Sequence, residues 1–180
     1  MFKQLFTQIQ HQLVVNTPKV LALPSRLMPF SIQQKCLSDL LSRVLKEAIE
    51  DGDLVFLEDK WLKVMVTDLH LTWFLSFEKE QIIIKEKAST TDVSFSASVN
   101  DLILVAGRKE DADTLFFQRR LSIEGDTELG LEVKNLLDNI EFDNLSPLVE
   151  KFIQHFSDFV HSGLATQRHV EELKNKSIEV

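Results

Sequence analysis

The chain contains a single cysteine, Cys36, among 180 residues. One thiol closes no internal disulfide and builds no cysteine-based zinc or iron–sulfur site, so a reducing compartment is the expected setting. Tyrosine is absent altogether, while 13 Phe and 2 Trp supply the aromatic surface almost without hydroxyl groups. Greasy contact is favoured over polar recognition. Long apolar runs are missing too: the longest is Leu102 to Ala106, far short of the ~18 residues a membrane-spanning helix needs. Met1 to Val15 intersperses Gln, His and Thr among its apolar residues, which does not read as a secretory segment. The expectation is a cytoplasmic protein whose membrane contact is at most peripheral, at the inner membrane.

Glycine and basic charge are also scarce. Of the five glycines only Gly125 and Gly130 stand at phosphate-loop spacing, and Leu131-Glu132 follow where Lys-Ser/Thr is required. No G-x-S-x-G elbow occurs. Twenty Lys plus Arg against 28 Asp plus Glu leave a formal charge of −8, which argues against a sequence-independent nucleic-acid binder. The nearest of the five histidines, His155 and His161, are six apart, a separation that turns them about 240° from one another on a helix. The pair Asp111/Asp113 is explained by the positive end of a helix dipole. These absences predict no metal, no cofactor and no catalytic centre.

What is present suits one globular domain: 44% hydrophobic and 27% charged residues over a length that supports a single core. Phe2 to Val15 is amphipathic and ends at Asn16-Thr17-Pro18; Pro18, Pro24 and Pro29 then break an apolar arm. Ser31 is the expected cap of a long helix with apolar rows at Ile32, Cys36, Leu40, Val44 and Ala48 and at Leu37, Leu41, Leu45 and Ile49, closed by Asp51-Gly52-Asp53. This reading puts Cys36 on the buried stripe as an inert core thiol.

From Leu54 the apolar period changes from 3.6 to 2. Segments at 54–57, 61–66, 72–77, 82–85, 93–97 and 121–123 predict five or six strands, mostly antiparallel, with helices on one face. Ser98 with Asp101, Asp111, Gly125-Asp126 and Ser146-Pro147 mark helix starts, the last opening an amphipathic C-terminal helix. Arg119-Arg120 beside Phe116-Phe117 reads either as a strand start with solvated arginines or as cations beside an apolar patch, suited to an anionic head group.

Three stretches carry a family resemblance: Asp92-Val93-Ser94-Phe95-Ser96-Ala97, Asp113 through Leu121, and Ile123-Glu124-Gly125-Asp126-Thr127-Glu128-Leu129-Gly130-Leu131. Together with Trp73-Phe74, Trp61-Leu62, Asp51-Gly52 and the Pro24 to Phe30 arm, they resemble the sterol carrier protein type two domain. Within that family they resemble the branch that serves bacterial ubiquinone synthesis. The resemblance implies a mixed α/β domain (α+β) that encloses a lipid-binding cavity without catalytic residues. It further implies an accessory role in oxygen-independent ubiquinone synthesis, a prenylated quinone intermediate as cargo, and UbiU-like and UbiV-like iron–sulfur proteins as partners. The competing reading is a protein-interaction adaptor with a closed core and no lipid.

The division expected along the chain is an N-terminal arm and long helix at 1–52, a lipid-binding core at 53–140, and a C-terminal amphipathic helix with a charged tail at 141–180. The cavity is expected between the sheet's apolar face and the helices, whose inward residues by spacing are Leu102, Val105, Phe116, Leu129, Val133 and Leu136.

Overall fold

The computed structural model describes residues 28–138, 151 and 153–162. The Phe2 to Val15 helix, the proline arm up to Leu27, the Ser146-Pro147 helix start and the tail beyond Gly163 lie outside the described residues.

Helix α1 runs Phe30–Val44 and a short α2 runs Lys46–Glu50. Pro29, rather than Ser31, precedes the first helical residue, in keeping with proline's fixed φ and its lack of an N–H to satisfy. The expected strand at 54–57 is instead a 3₁₀ turn, Val55–Leu57. Four apolar residues in a row show no period of their own, and here Leu54 and Leu57 both point into the core while Val55 is exposed.

Five strands follow: β1 Leu62–Val66, β2 Leu71–Glu78, β3 Gln81–Lys85, β4 Val93–Ala97 and β5 Leu121–Gly125. Their order across the sheet is β3-β2-β1-β4-β5. Every pairing is antiparallel except β1 with β4, which is parallel. That parallel step needs a crossover, and β2 and β3 supply it by forming a hairpin outside β1. Between β4 and β5 the chain forms α3, Val99–Ala106, and α4, Ala112–Phe117; α5, Thr127–Asp138, follows β5.

Three of the helix starts read from sequence have side-chain caps. Ser98 Oγ accepts from the Asp101 N–H, Asp111 from the Thr114 N–H at 2.6 Å, and Asp126 from Glu128 and Leu129 at 2.9 and 3.1 Å. Each satisfies donors that the first helical turn leaves open.

Register puts Leu62, Val64 and Val66 opposite Leu75, Trp73 and Leu71 on one side and Val93, Phe95 and Ala97 on the other. Alternate residues of each strand therefore build one apolar inner face. Leu37 and Leu41 of α1, Leu45 just past its end, and Val133 and Leu136 of α5 pack onto it. The last helix among the described residues, α6, covers residues 153–162 and packs on the far side of α3, where Leu104 and Val160 are fully buried with Phe156 and Phe159 beside them.

Cys36 is exposed, contrary to the inward placement expected of it. Ile32 and Leu40, one turn either side, are 48% and 43% exposed. Helix α1 turns its other apolar row inward instead: Leu37 and Leu41 are half-buried and Leu45, just past the helix end, is buried, while of the Cys36 row only Val44 is buried.

Candidate lipid cavity

Between α1, the inner sheet face and α5 lies a cavity of about 230 Å3. Leu37, Leu41 and Leu45 form its roof, and Val133, Leu136 and Leu137 close one side. Leu62, Val64, Val66, Trp73, Leu75, Phe77, Ile82 and Phe95 form the floor, with Leu54, Leu57 and Leu102 at the margins. Among the described residues Ser76 is the one polar residue of the lining, and its hydroxyl donates to the Leu57 carbonyl at 3.2 Å. Among the described residues no ionisable side chain lines the space.

Two hydrogen bonds fasten the roof. Trp73 Nε1 donates to Gln33 Oε1 at 3.1 Å, and Gln34 Nε2 donates to the Ile84 carbonyl at 2.8 Å. The second satisfies a carbonyl of the edge strand β3, so α1 is held to the sheet margin as well as resting on it.

The six residues singled out by spacing are distributed unevenly. Leu102, Val133 and Leu136 line the cavity. Leu129 is buried in the core but does not reach the lining. Val105 packs against the core from α3 and lines a separate polar hollow with Arg108, Glu110 and Asp138. Phe116 is 39% exposed, with the Phe117 ring edge-on at 5.9 Å. The six include no roof residue, although the row Leu37, Leu41 and Leu45 stands in the sequence as one of two apolar stripes; the floor is the apolar sheet face expected to bound the cavity, marked by the alternation of β1 and β2, with none of its residues among the six.

The two arginines have different surroundings. Arg120 is ion-paired with Asp101 and, at 2.9 Å, with Glu110; all three side chains are at most 25% exposed. It ties the start of β5 to α3 and the turn after it. Arg119 is exposed at φ 58°. Among the described residues no three of His, Cys, Asp and Glu come together as metal ligands, and no helix is long and apolar enough to cross a membrane.

A mixed five-stranded sheet whose inner face meets helices across an apolar cavity is the build of a sterol-carrier-like domain. Residues 37–138 match the SCP-2 sterol transfer family, and the chain belongs to that family. It is 43% identical over 159 residues, 88% of this chain and 91% of the other, to the ubiquinone biosynthesis accessory factor UbiT of Escherichia coli strain K12. The UbiT of Escherichia coli O157:H7 matches to the same extent. Among solved structures, a ubiquinone synthesis protein described as UbiJ-SCP2 superposes with a TM-score of 0.51 at 20% identity, over 63% of this chain and all of that one. This last likeness is one of fold.

Proposed function

We propose that this chain is a non-catalytic, lipid-binding accessory factor of oxygen-independent ubiquinone synthesis, which holds prenylated quinone intermediates and presents them to partner hydroxylases. The observation that carries the reading is the cavity. Its 230 Å3 is walled by aliphatic and aromatic side chains of α1, the sheet and α5, so an apolar chain gains about 25 cal/mol for each Å2 it buries there. A lining whose described residues carry no charge selects such a chain over a polar one. The 43% identity to UbiT supports ubiquinone intermediates as the source of that chain.

Of the residues chosen by spacing, Leu102, Val133 and Leu136 are the ones assigned to ligand contact, now joined by Leu37, Leu41 and Trp73. The lipid-binding unit accordingly draws on both the 53–140 core and the long helix before it. The proposed partners are UbiU-like and UbiV-like iron–sulfur proteins, and the proposed setting is the cytoplasm with peripheral contact at the inner membrane.

Organic extraction of the purified protein followed by mass spectrometry tests this directly. A stoichiometric isoprenoid phenol or quinone is expected. The adaptor reading is favoured by one observation: 230 Å3 lies below the roughly 300–1,000 Å3 of ordinary small-molecule sites. An extract free of lipid would support it.

A further inference from the structure

A second hollow adjoins the cavity. It is a groove of about 580 Å3 bounded by the end of α1, by α2 and the turn after it, and by Phe56, Glu132, Asn135 and Leu136. Leu45 and Leu136 line both the groove and the cavity. Leu45 is also where the helix breaks: α1 stops at Val44, α2 starts at Lys46, and Leu45 itself sits at φ −100° and ψ 17°. Residues at element ends absorb backbone rotation more readily than those inside a helix. The break therefore falls on a residue that separates the two spaces.

Volume points the same way. The cavity alone falls below the roughly 300–1,000 Å3 of small-molecule sites, whereas cavity and groove joined fall inside that range. The chemistry of the two spaces is complementary as well. The cavity lining is apolar, while the groove carries Glu47, Asp51, Asp53 and Glu132 and, among the described residues, has no Lys, Arg or His in its lining. Carboxylates accept hydrogen bonds from a phenol or quinol hydroxyl and repel a phosphate or carboxylate.

We propose that the tail of an isoprenoid phenol or quinol passes between Leu45 and Leu136 into the cavity and leaves its hydroxylated head in the acidic groove. The proposal rests on the lipid-binding reading and adds to it a doorway and a preference for an uncharged head group.

Trp73 lines the cavity and Trp61 does not, so in a Trp61→Phe background quenching by a 2-geranylphenol analogue brominated at the end of its tail reports arrival of the tail in the cavity. Stopped-flow traces should show both association and dissociation at least threefold faster in Leu136→Ala and at least threefold slower in Leu136→Phe, with circular dichroism confirming that each variant is folded. At low salt, unlabelled 2-geranylphenol should displace the brominated phenol at a concentration at least tenfold below that of geranyl monophosphate. Glu47→Gln combined with Glu132→Gln should reduce that gap to less than threefold. Rates unchanged in the folded Leu136 variants, or phosphate competing as well as phenol in the wild type, would overturn the doorway and groove assignment; persisting quenching would leave the lipid-binding reading intact. Absence of Trp73 quenching at any concentration of the brominated phenol would overturn both.

Discussion

Lys79 and Glu80 both adopt positive φ, 51° and 60°, at the tip of the β2–β3 hairpin. Two such residues make the tight turn that matches strand twist, a place where Asn-Gly is preferred because a Cβ is strained there. Glu80→Gly should raise stability by about 0.5–1 kcal/mol in urea unfolding, because it relieves this strain and leaves the Glu78–Lys79 ion pair at 2.9 Å in place. Gly125 is the opposite case: its φ is 115°, and a Cβ there would lie 2.4 Å from the Asp92 carbonyl oxygen. Gly125→Ala should therefore cost more than about 2 kcal/mol in the same measurement. Arg120 partners two carboxylates that are each about 10% exposed, and Arg120→Met should cost about 3 kcal/mol, since it strands buried negative charge. Single positions were the least legible feature of the sequence. Cys36 and Phe116 are apolar residues at helical spacing, yet both are exposed. Spacing identifies residues that share a face; it does not say which face has a neighbour.

At the scale of elements, more could be read. The caps Ser98, Asp111 and Asp126 mark helix starts because a short polar side chain is what the open N–H groups of a first turn require, and the alternation in β1, β2 and β4 matches strands paired in one sheet. Helix α1 was ambiguous because it carries two apolar rows side by side; the choice between them is made by the sheet, which offers Trp73 and Ile84 as partners for Gln33 and Gln34. Helix α6 is fastened to the turn after α3 by Lys109 and Asp158 at 2.6 Å and by close approach, since a Cβ on Gly107 would lie 2.1 Å from the Ser157 hydroxyl. The hydrogen bond from Lys109 holds the Asp158 carboxyl below the usual carboxylate range. A depressed folded-state value means this contact contributes fully above the unfolded value near 3.9 and loses its contribution as pH falls through the folded one. Hydrogen exchange of residues 153–162 should accordingly accelerate relative to the sheet as pH is lowered through that window, and Asp158→Asn should remove the difference. Gly107→Ala should free the same helix at neutral pH.

For the whole molecule, the sheet order and the apolar inner face follow from strand alternation, but the cavity does not, because a filled core and a hollow one have the same apolar pattern. Only the packed arrangement distinguishes the Leu136 side chain that borders a space from the Leu129 side chain that does not. Filling that space should stabilise the fold. A ligand at about 100 times its dissociation constant contributes ~2.7 kcal/mol, which for a chain of this size raises the unfolding midpoint by roughly 5–10 °C; delipidated protein titrated with a prenylquinol and followed by calorimetry should show this. The most direct test of the cavity is native mass spectrometry of the intact protein mixed with a prenylated phenol, comparing the wild type with Val133→Phe, which fills the cavity, and Val105→Phe, which adds the same bulk outside its lining. One bound ligand per chain is expected for the wild type and Val105→Phe, with at least tenfold loss of the complex in folded Val133→Phe. Equal ligand occupancy in all three, or no complex with the wild type, would contradict the assignment of this cavity as the lipid site.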